Sequence, residues 1–266
     1  MSGPNAEVNS ELVPLSYDAS MAGSGVAAIS VTNAVAAKLL ALGGETRTLK
    51  ALQDGLDAGE MMPGVPLKNV ALGATIDIRQ ERRVGRNVLG RLPSGAPGMA
   101  PVLIGAHIDH LGPKAGVNSL AGKGEENLIH YGADDNASGV AGVLEIAEYL
   151  AEQKRSGKLK MKRDGLFALW SGEELGLLGS AHYVRKMAED QLGNGDAMLT
   201  GKLSAALNMD MIGRLQKNAV LQGVGSSDFW EGAIERRNAP VGLPIVTQQD
   251  TYLSTDATSF YLKGVP

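Results

Sequence analysis

From residue 101 onward the chain alternates short apolar runs with longer stretches in which apolar residues recur every three or four positions. PVLIGA (101–106), GLFALW (165–170) and LSAALNMDMIG (203–213) read as buried strands, and AVLQGVG (219–225) as a fourth. Between the first two, apolar side chains fall at Val140, Val143, Leu144, Ala147, Leu150 and Ala151, one face of a helix that ends in the charged tail EQKRSGK. SGEELGLLGSAHYVRKM starts another helix. Strands alternating with amphipathic helices predict an α/β fold, a mostly parallel (mixed) sheet with helices on both faces.

The earlier part of the chain has a different texture. GVAAISV (25–31) reads as a short strand, followed by a helix that Thr32 or Asn33 can cap and Gly43–Gly44 can end. A second helix-like stretch, ETRTLKALQDGLDAG, comes next, and then two strand-like segments, ATIDIRQERR (74–83) and RNVLGRL (86–92). Residues 1–84 are taken as a leader and accessory segment, residues 85–266 as the main domain. The first twenty residues lack the basic start and apolar stretch of a signal peptide and read as a loose leader.

Composition narrows the chemistry. The 25 basic and 29 acidic residues give a net charge of −4 with no basic stripe, so nucleic-acid binding has no support. No apolar run is long enough to span a membrane. With no cysteine among the 266 residues, disulfides and thiolate metal sites are excluded, and any metal must be held by histidine and carboxylate. Only four histidines are available: His107, His110, His130 and His182.

Ligands in such sheets bind beyond the carboxyl ends of the strands, and the unusual polar clusters all fall there. PVLIGA is followed by His107, Asp109 and His110, and the striped helix is preceded by Asp134-Asp135-Asn136. GLFALW runs into Glu173-Glu174, and LSAALNM reaches Asp210. Each has a duller reading. A strand-end histidine is often only hydrogen-bonded, Asp134 can serve as a cap and dipole partner, and Glu173-Glu174 can favour a helix start. Together the dull readings fail, because several carboxylates on one rim repel unless a cation offsets them. Asp109, two residues past His107, can reach its ring and fix the tautomer. Of the adjacent Glu173 and Glu174, one can bind metal while the other faces a reacting water.

In this order GAHIDHLG, YGADDNASGV, SGEELGLLGS and LNMDMIG resemble the signature segments of the co-catalytic zinc aminopeptidases of the bacterial leucyl aminopeptidase type, with glutamate carboxypeptidase and glutaminyl cyclase as more distant relatives. The likeness covers residues 86–266 and implies a zinc-exopeptidase-like three-layer architecture. The accessory segment resembles part of a protease-associated domain. The resemblance implies that His107 and Asp210 bind one zinc, Asp135 bridges two, Glu174 binds the second, Glu173 is the general base and Asp109 supports His107. It further implies a cis peptide at Asp135–Asn136, a peptide substrate with a free N-terminus, and export from the cytoplasm to the periplasm or beyond the cell. The family's second zinc also takes a histidine well after a segment matched here by STDATSFYLKGVP, in which Asp256 can cap a short helix. No histidine follows His182, so this ligand, with the final strand and helix, is expected to be absent from residues 1–266. His110 and His130 could replace it but are not assigned as ligands, and His182 reads as packing or surface. A chain without turnover, holding one metal or acting as an interaction module, and an amidase or cyclase on the same scaffold are the competing functions. Phe229–Trp230 is a candidate either for a side-chain pocket or for surface packing.

Overall fold

The computed structural model describes residues 12, 29–61, 63–64, 66–75, 84–95, 98–113, 124–125 and 127–266. Two threonines open the helices of its first part. The Thr32 hydroxyl accepts from the Val35 N–H at 3.4 Å and that of Thr48 from the Ala51 N–H at 3.1 Å. α1 (Asn33–Leu42) and α2 (Leu49–Asp57) therefore begin on side-chain caps. Residues 29–31 carry no strand pairing, against the expectation for GVAAISV, whose other residues, like most of ATIDIRQERR, lie outside the described ones. These helices belong to a compact unit of residues 1–82, and residues 83–266 make a second.

The second unit runs β1 (Val88–Leu92), β2 (Val102–His107), a ribbon of β3 (Gly112–Pro113) and β4 (Ile129–His130), α3 (Gly139–Arg155), β5 (Gly165–Trp170), α4 (Leu178–Leu192) and β6 (Ala205–Asn208). β7 (Ala219–Leu221), α5 (Phe229–Asn238), β8 (Ile245–Thr247) and α6 (Ala257–Tyr261) complete it. The main sheet has the order β1-β5-β2-β6. β2 lies parallel to both β5 and β6, and β1 closes the β5 edge antiparallel, so the sheet is mixed as expected. AVLQGVG does supply a strand, but among the described residues β7 pairs with β8, parallel, in a two-stranded sheet apart from the main one. Among the described residues no helix is long and apolar enough to cross a membrane.

Alternation along β2 puts Leu103, Gly105 and His107 on one face. Leu103 joins Ala168, Trp170, Val184, Ala188, Leu199, Leu203, Phe260 and Val265 in the core. The Trp170 ring lies 5.2 Å from that of Tyr183 on α4 and 5.8 Å from that of Phe260 on α6. Gly105 makes room for it, since a Cβ there would sit 2.7 Å from Trp170 Nε1. Asp256 stands at the start of α6 as expected, yet its side chain makes no cap bond: it is fully buried, and among the described residues neither oxygen has a partner in good hydrogen-bond geometry. Burial pushes its carboxyl up to about 6, against the pull of the nearby Ser180 hydroxyl and of a charged His107.

The adjacent aspartates lie within one turn, Ala133–Ser138, whose Asp135–Asn136 peptide is cis. Asp134 turns away from the other carboxylates toward the segment after β6, accepting from the Gly213 N–H at 2.7 Å and pairing with Arg214 Nε at 2.6 Å. Asn136 is buried and ties the same two segments together. Its Nδ2 donates to the Met209 carbonyl at 3.0 Å, and its Oδ1 accepts from Gly139 N–H at 3.0 Å and Met211 N–H at 3.4 Å. Asp135 is left between these anchors, free to face the strand ends.

Two substitutions test this frame. Phe260→Ala empties the centre of the core and is expected to lower unfolding free energy by about 3–5 kcal/mol in denaturant titration. Asn136→Ala strands buried backbone groups and removes three hydrogen bonds, for an expected loss of about 3 kcal/mol in the same measurement.

Candidate metal centre

Because β2, β5 and β6 are parallel, their carboxyl ends share one edge, and each continues into a segment that carries ionisable groups. His107 is the last residue of β2, two past the Gly105–Asn208 pair, and Asp210 lies two past Asn208 on the neighbouring strand. His107 Nε2 sits 3.4 Å from Asp210 Oδ1 and 3.2 Å from Asp135 Oδ1. Its other nitrogen, Nδ1, is 2.9 Å from the Asp109 carbonyl. A carbonyl only accepts, so Nδ1 carries the hydrogen and Nε2 is the atom presented to the carboxylates.

Asp109 therefore supports His107 differently from the expectation. β2 ends at His107, so the alternation of a strand no longer governs the next residues, and the Asp109 carboxylate turns away from the ring. It accepts instead from the backbone N–H of Glu173 at 3.2 Å and of Glu174 at 3.4 Å. One residue thereby orients the imidazole through its carbonyl and the two glutamates through its carboxylate. Glu173 and Glu174 precede α4, which begins only at Leu178, so they occupy a turn and not the first turn of a helix. The Glu173 carbonyl closes that turn by accepting from Gly176 and Leu177 at 2.9 Å each.

Five of the six residues given roles from the sequence come together, all but Asp109. The donor atoms of His107, Asp135 and Glu174 lie within 4.8 Å of one another, as do those of His107, Glu173 and Asp210. The second set contains Glu173, the residue given the proton-transfer role, as well as the ligand candidates. Burial is the main reason Glu173 is pushed up to about 8; the charges of Asp256, Asp210 and Glu174 add to it, and His107 opposes. Burial acts to lower His107, but the hydrogen bond to Asp210, the Glu173 charge and the Asp109 carbonyl outweigh it and hold the ring at about 9. Among the described residues Asp135 Oδ1 is buried with no hydrogen-bond partner, although His107 Nε2 lies 3.2 Å away. Two donors on one zinc, with bonds of 2.0–2.1 Å at the tetrahedral angle, lie about 3.3 Å apart. The separations around His107 match that spacing, so this donor set fits a divalent cation.

Beside the cluster is a cavity of about 530 Å³, walled on its other side by Met211, Val220, Gln222, Gln248, Ser254 and Thr255. Phe229 and Trp230 are not among its lining residues; their rings pack against each other and Trp230 Nε1 donates to Ser226 Oγ at 2.9 Å. His182 is exposed on α4. The contact that sequence reasoning missed is His110, whose Nδ1 is 2.7 Å from Glu174 Oε1. Asn136 and Arg214 were missed as well. Their partners are backbone or carboxylate groups about 75 to 80 residues away, so no local spacing signals them.

Known proteins similar to this chain are peptidases and relatives of them. The aminopeptidase of Pseudomonas aeruginosa (strain UCBPP-PA14) is 31% identical over 174 residues, which cover 63% of this chain and 27% of that protein. Leupeptin-inactivating enzyme 1 of Streptomyces exfoliatus is 33% identical over 182 residues, covering 68% of this chain and 34% of that enzyme. The chain thus spans about a quarter to a third of the length of these curated relatives. Among solved structures, a zinc aminopeptidase from Bacillus subtilis superposes with a TM-score of 0.49 at 24% identity, over 67% of this chain and 38% of that one. The glutaminyl cyclase of Bacteroides thetaiotaomicron superposes with a TM-score of 0.47 at 18% identity, over 67% and 60%. The family model for peptidase family M28 matches residues 87–266, more than half of the sequence and every group of the cluster, and the chain belongs to that family.

Proposed function

We propose that residues 83–266 form the metal-binding catalytic unit of an aminopeptidase, which removes the N-terminal residue of a peptide by hydrolysis. The observation that carries this reading is the meeting of His107, Asp135, Glu173, Glu174 and Asp210 on one strand edge beside an open cavity. His107, Asp135 and Asp210 would hold one cation, and Asp135 and Glu174 a second. Imidazole with carboxylate suits zinc first. When bound, such cations supply Lewis acidity, polarising the scissile carbonyl and acidifying the attacking water.

The chain's own groups account for the rest. Glu173 is the general base: its carboxylate lines the cavity and takes a proton from the water, then passes it to the leaving amine. Burial and neighbouring carboxylates raise its proton affinity, which suits the acid half of that cycle. Nearby cationic charge lowers it again, which suits the base half. The Asp109 carboxylate keeps the Glu173 and Glu174 backbone in place while this happens. A rim rich in carboxylate also attracts the positively charged α-amine of a peptide and so favours cleavage at the N-terminus.

Glu173→Gln is expected to lower hydrolysis of aminoacyl anilides by about 10²–10⁴-fold while zinc content per chain, measured by atomic absorption, stays at the wild-type value. An N-acetylated substrate should not be cleaved; equal rates on blocked and free peptides would point to an amidase. Stability should also respond to pH in a metal-dependent way. His107 and Glu173 both bind their protons more tightly in the folded chain than their ordinary values of 6.5 and 4.5. Their contribution is therefore full at low pH and is lost as pH rises through about 8 for Glu173 and about 9 for His107. With chelator present, the melting temperature of the chain should fall across this range relative to a His107→Gln, Glu173→Gln double variant. Added zinc should remove the difference in slope.

A further inference from the structure

His110 lies at the edge of the cluster, and its distances distinguish a ligand from a neighbour. His107 Nε2 stands 3.2 and 3.4 Å from its two carboxylate oxygens, the spacing of atoms sharing one cation. His110 Nδ1 is 3.7 Å from Asp135 Oδ2 but only 2.7 Å from Glu174 Oε1. That is too short for two ligands on one zinc, about 3.3 Å apart, and is the length of a charge-assisted N–H···O bond. A carboxylate only accepts, so the His110 Nδ1 hydrogen is donated to Glu174. We propose that His110 is a positioning residue for the second cation site: it holds Glu174 Oε1 so that the other oxygen of that carboxylate is presented to the cation. The proposal rests on the metal-centre reading above and adds to it a residue that binds no metal itself.

The surroundings of His110 are built to keep it there. Gly132 stands behind the ring with a left-handed backbone, φ +69°, and a Cβ at that position would lie 2.8 Å from His110 Cβ and 3.0 Å from its Cγ. On another side the ring of His130, carried by the β3–β4 ribbon, meets it edge-on with centroids 6.2 Å apart. The two partners of the hydrogen bond are sheltered, with side-chain exposures of 18% and 15%. A sheltered hydrogen bond to a ligand carboxylate fixes its orientation before the cation arrives, and loss of such a partner typically weakens metal affinity by about 10–100-fold.

The test is zinc binding to the 266-residue chain by isothermal titration, for wild type, His110→Ala and His110→Asn, with circular dichroism to follow the fold. His110→Ala is expected to bind one zinc as the wild type does and the second about 10–100-fold more weakly. His110→Asn, whose amide nitrogen occupies the place of Nδ1, should recover most of that loss. If His110→Ala takes up both zincs with wild-type affinity, the proposal is overturned. It is equally overturned if the asparagine variant is as weak as the alanine one, since the donated hydrogen is then not what matters. A wild-type chain that binds fewer than two zincs overturns the metal-centre reading, and this proposal with it.

Discussion

Everything at the strand edge depends on the mutual repulsion of carboxylates and on what offsets it. Asp135, Glu173, Glu174 and Asp210 share a small volume with His107 and His110. Two like charges about 4 Å apart repel by about 4 kcal/mol at the effective dielectric of a partly buried site. A domain whose whole stability is about 5–15 kcal/mol cannot carry several such pairs unrelieved. Proton retention on Glu173 and His107 is one relief, and a divalent cation is the stronger one. The arrangement is then understandable as a site whose energetic deficit is also its affinity.

Holding such groups together in advance is the work of neutral and outward-facing contacts. Asp134 spends its charge on Arg214 and the backbone of Gly213, which leaves the turn with one inward carboxylate instead of two. Asn136 joins the turn to the segment that bears Asp210 through two hydrogen bonds, to the Met209 carbonyl and from the Met211 N–H, and a third, from the Gly139 N–H, closes the turn itself. Asp109 does the same for the glutamate pair. The scaffold is therefore fastened by bonds that persist whether or not the inner charges are neutralised.

Much of this was legible in the chain. Apolar runs ending in His107, Glu173-Glu174 and Asp210 give both the strands and the edge they share, because a parallel sheet sends all carboxyl ends one way. What escaped was whatever depends on geometry after a strand has stopped. The two-residue alternation that pointed the Asp109 carboxylate at His107 no longer applies once β2 ends, and it is the carbonyl that meets the ring. Glu173-Glu174 read as a helix start, yet α4 begins at Leu178. AVLQGVG has the pattern of a core strand but among the described residues pairs with β8, apart from the main sheet. Asp256 takes the cap position without making the cap bond, since burial against the core directs its side chain inward. In each case a local pattern identified the element, and a partner distant in the chain decided its role.

His107 and Asp210 are 103 positions apart along the polypeptide, and His110 and Glu174 are 64 apart. No short stretch of backbone can bring these donors together, so an unfolded or half-folded molecule offers an incoming ion little more than scattered single residues. On the metal-centre reading proposed above, ion uptake is consequently a gauge of completed long-range assembly: a bound ion would select molecules whose central strands have already aligned, and would act as a latch on that alignment instead of a seed for it.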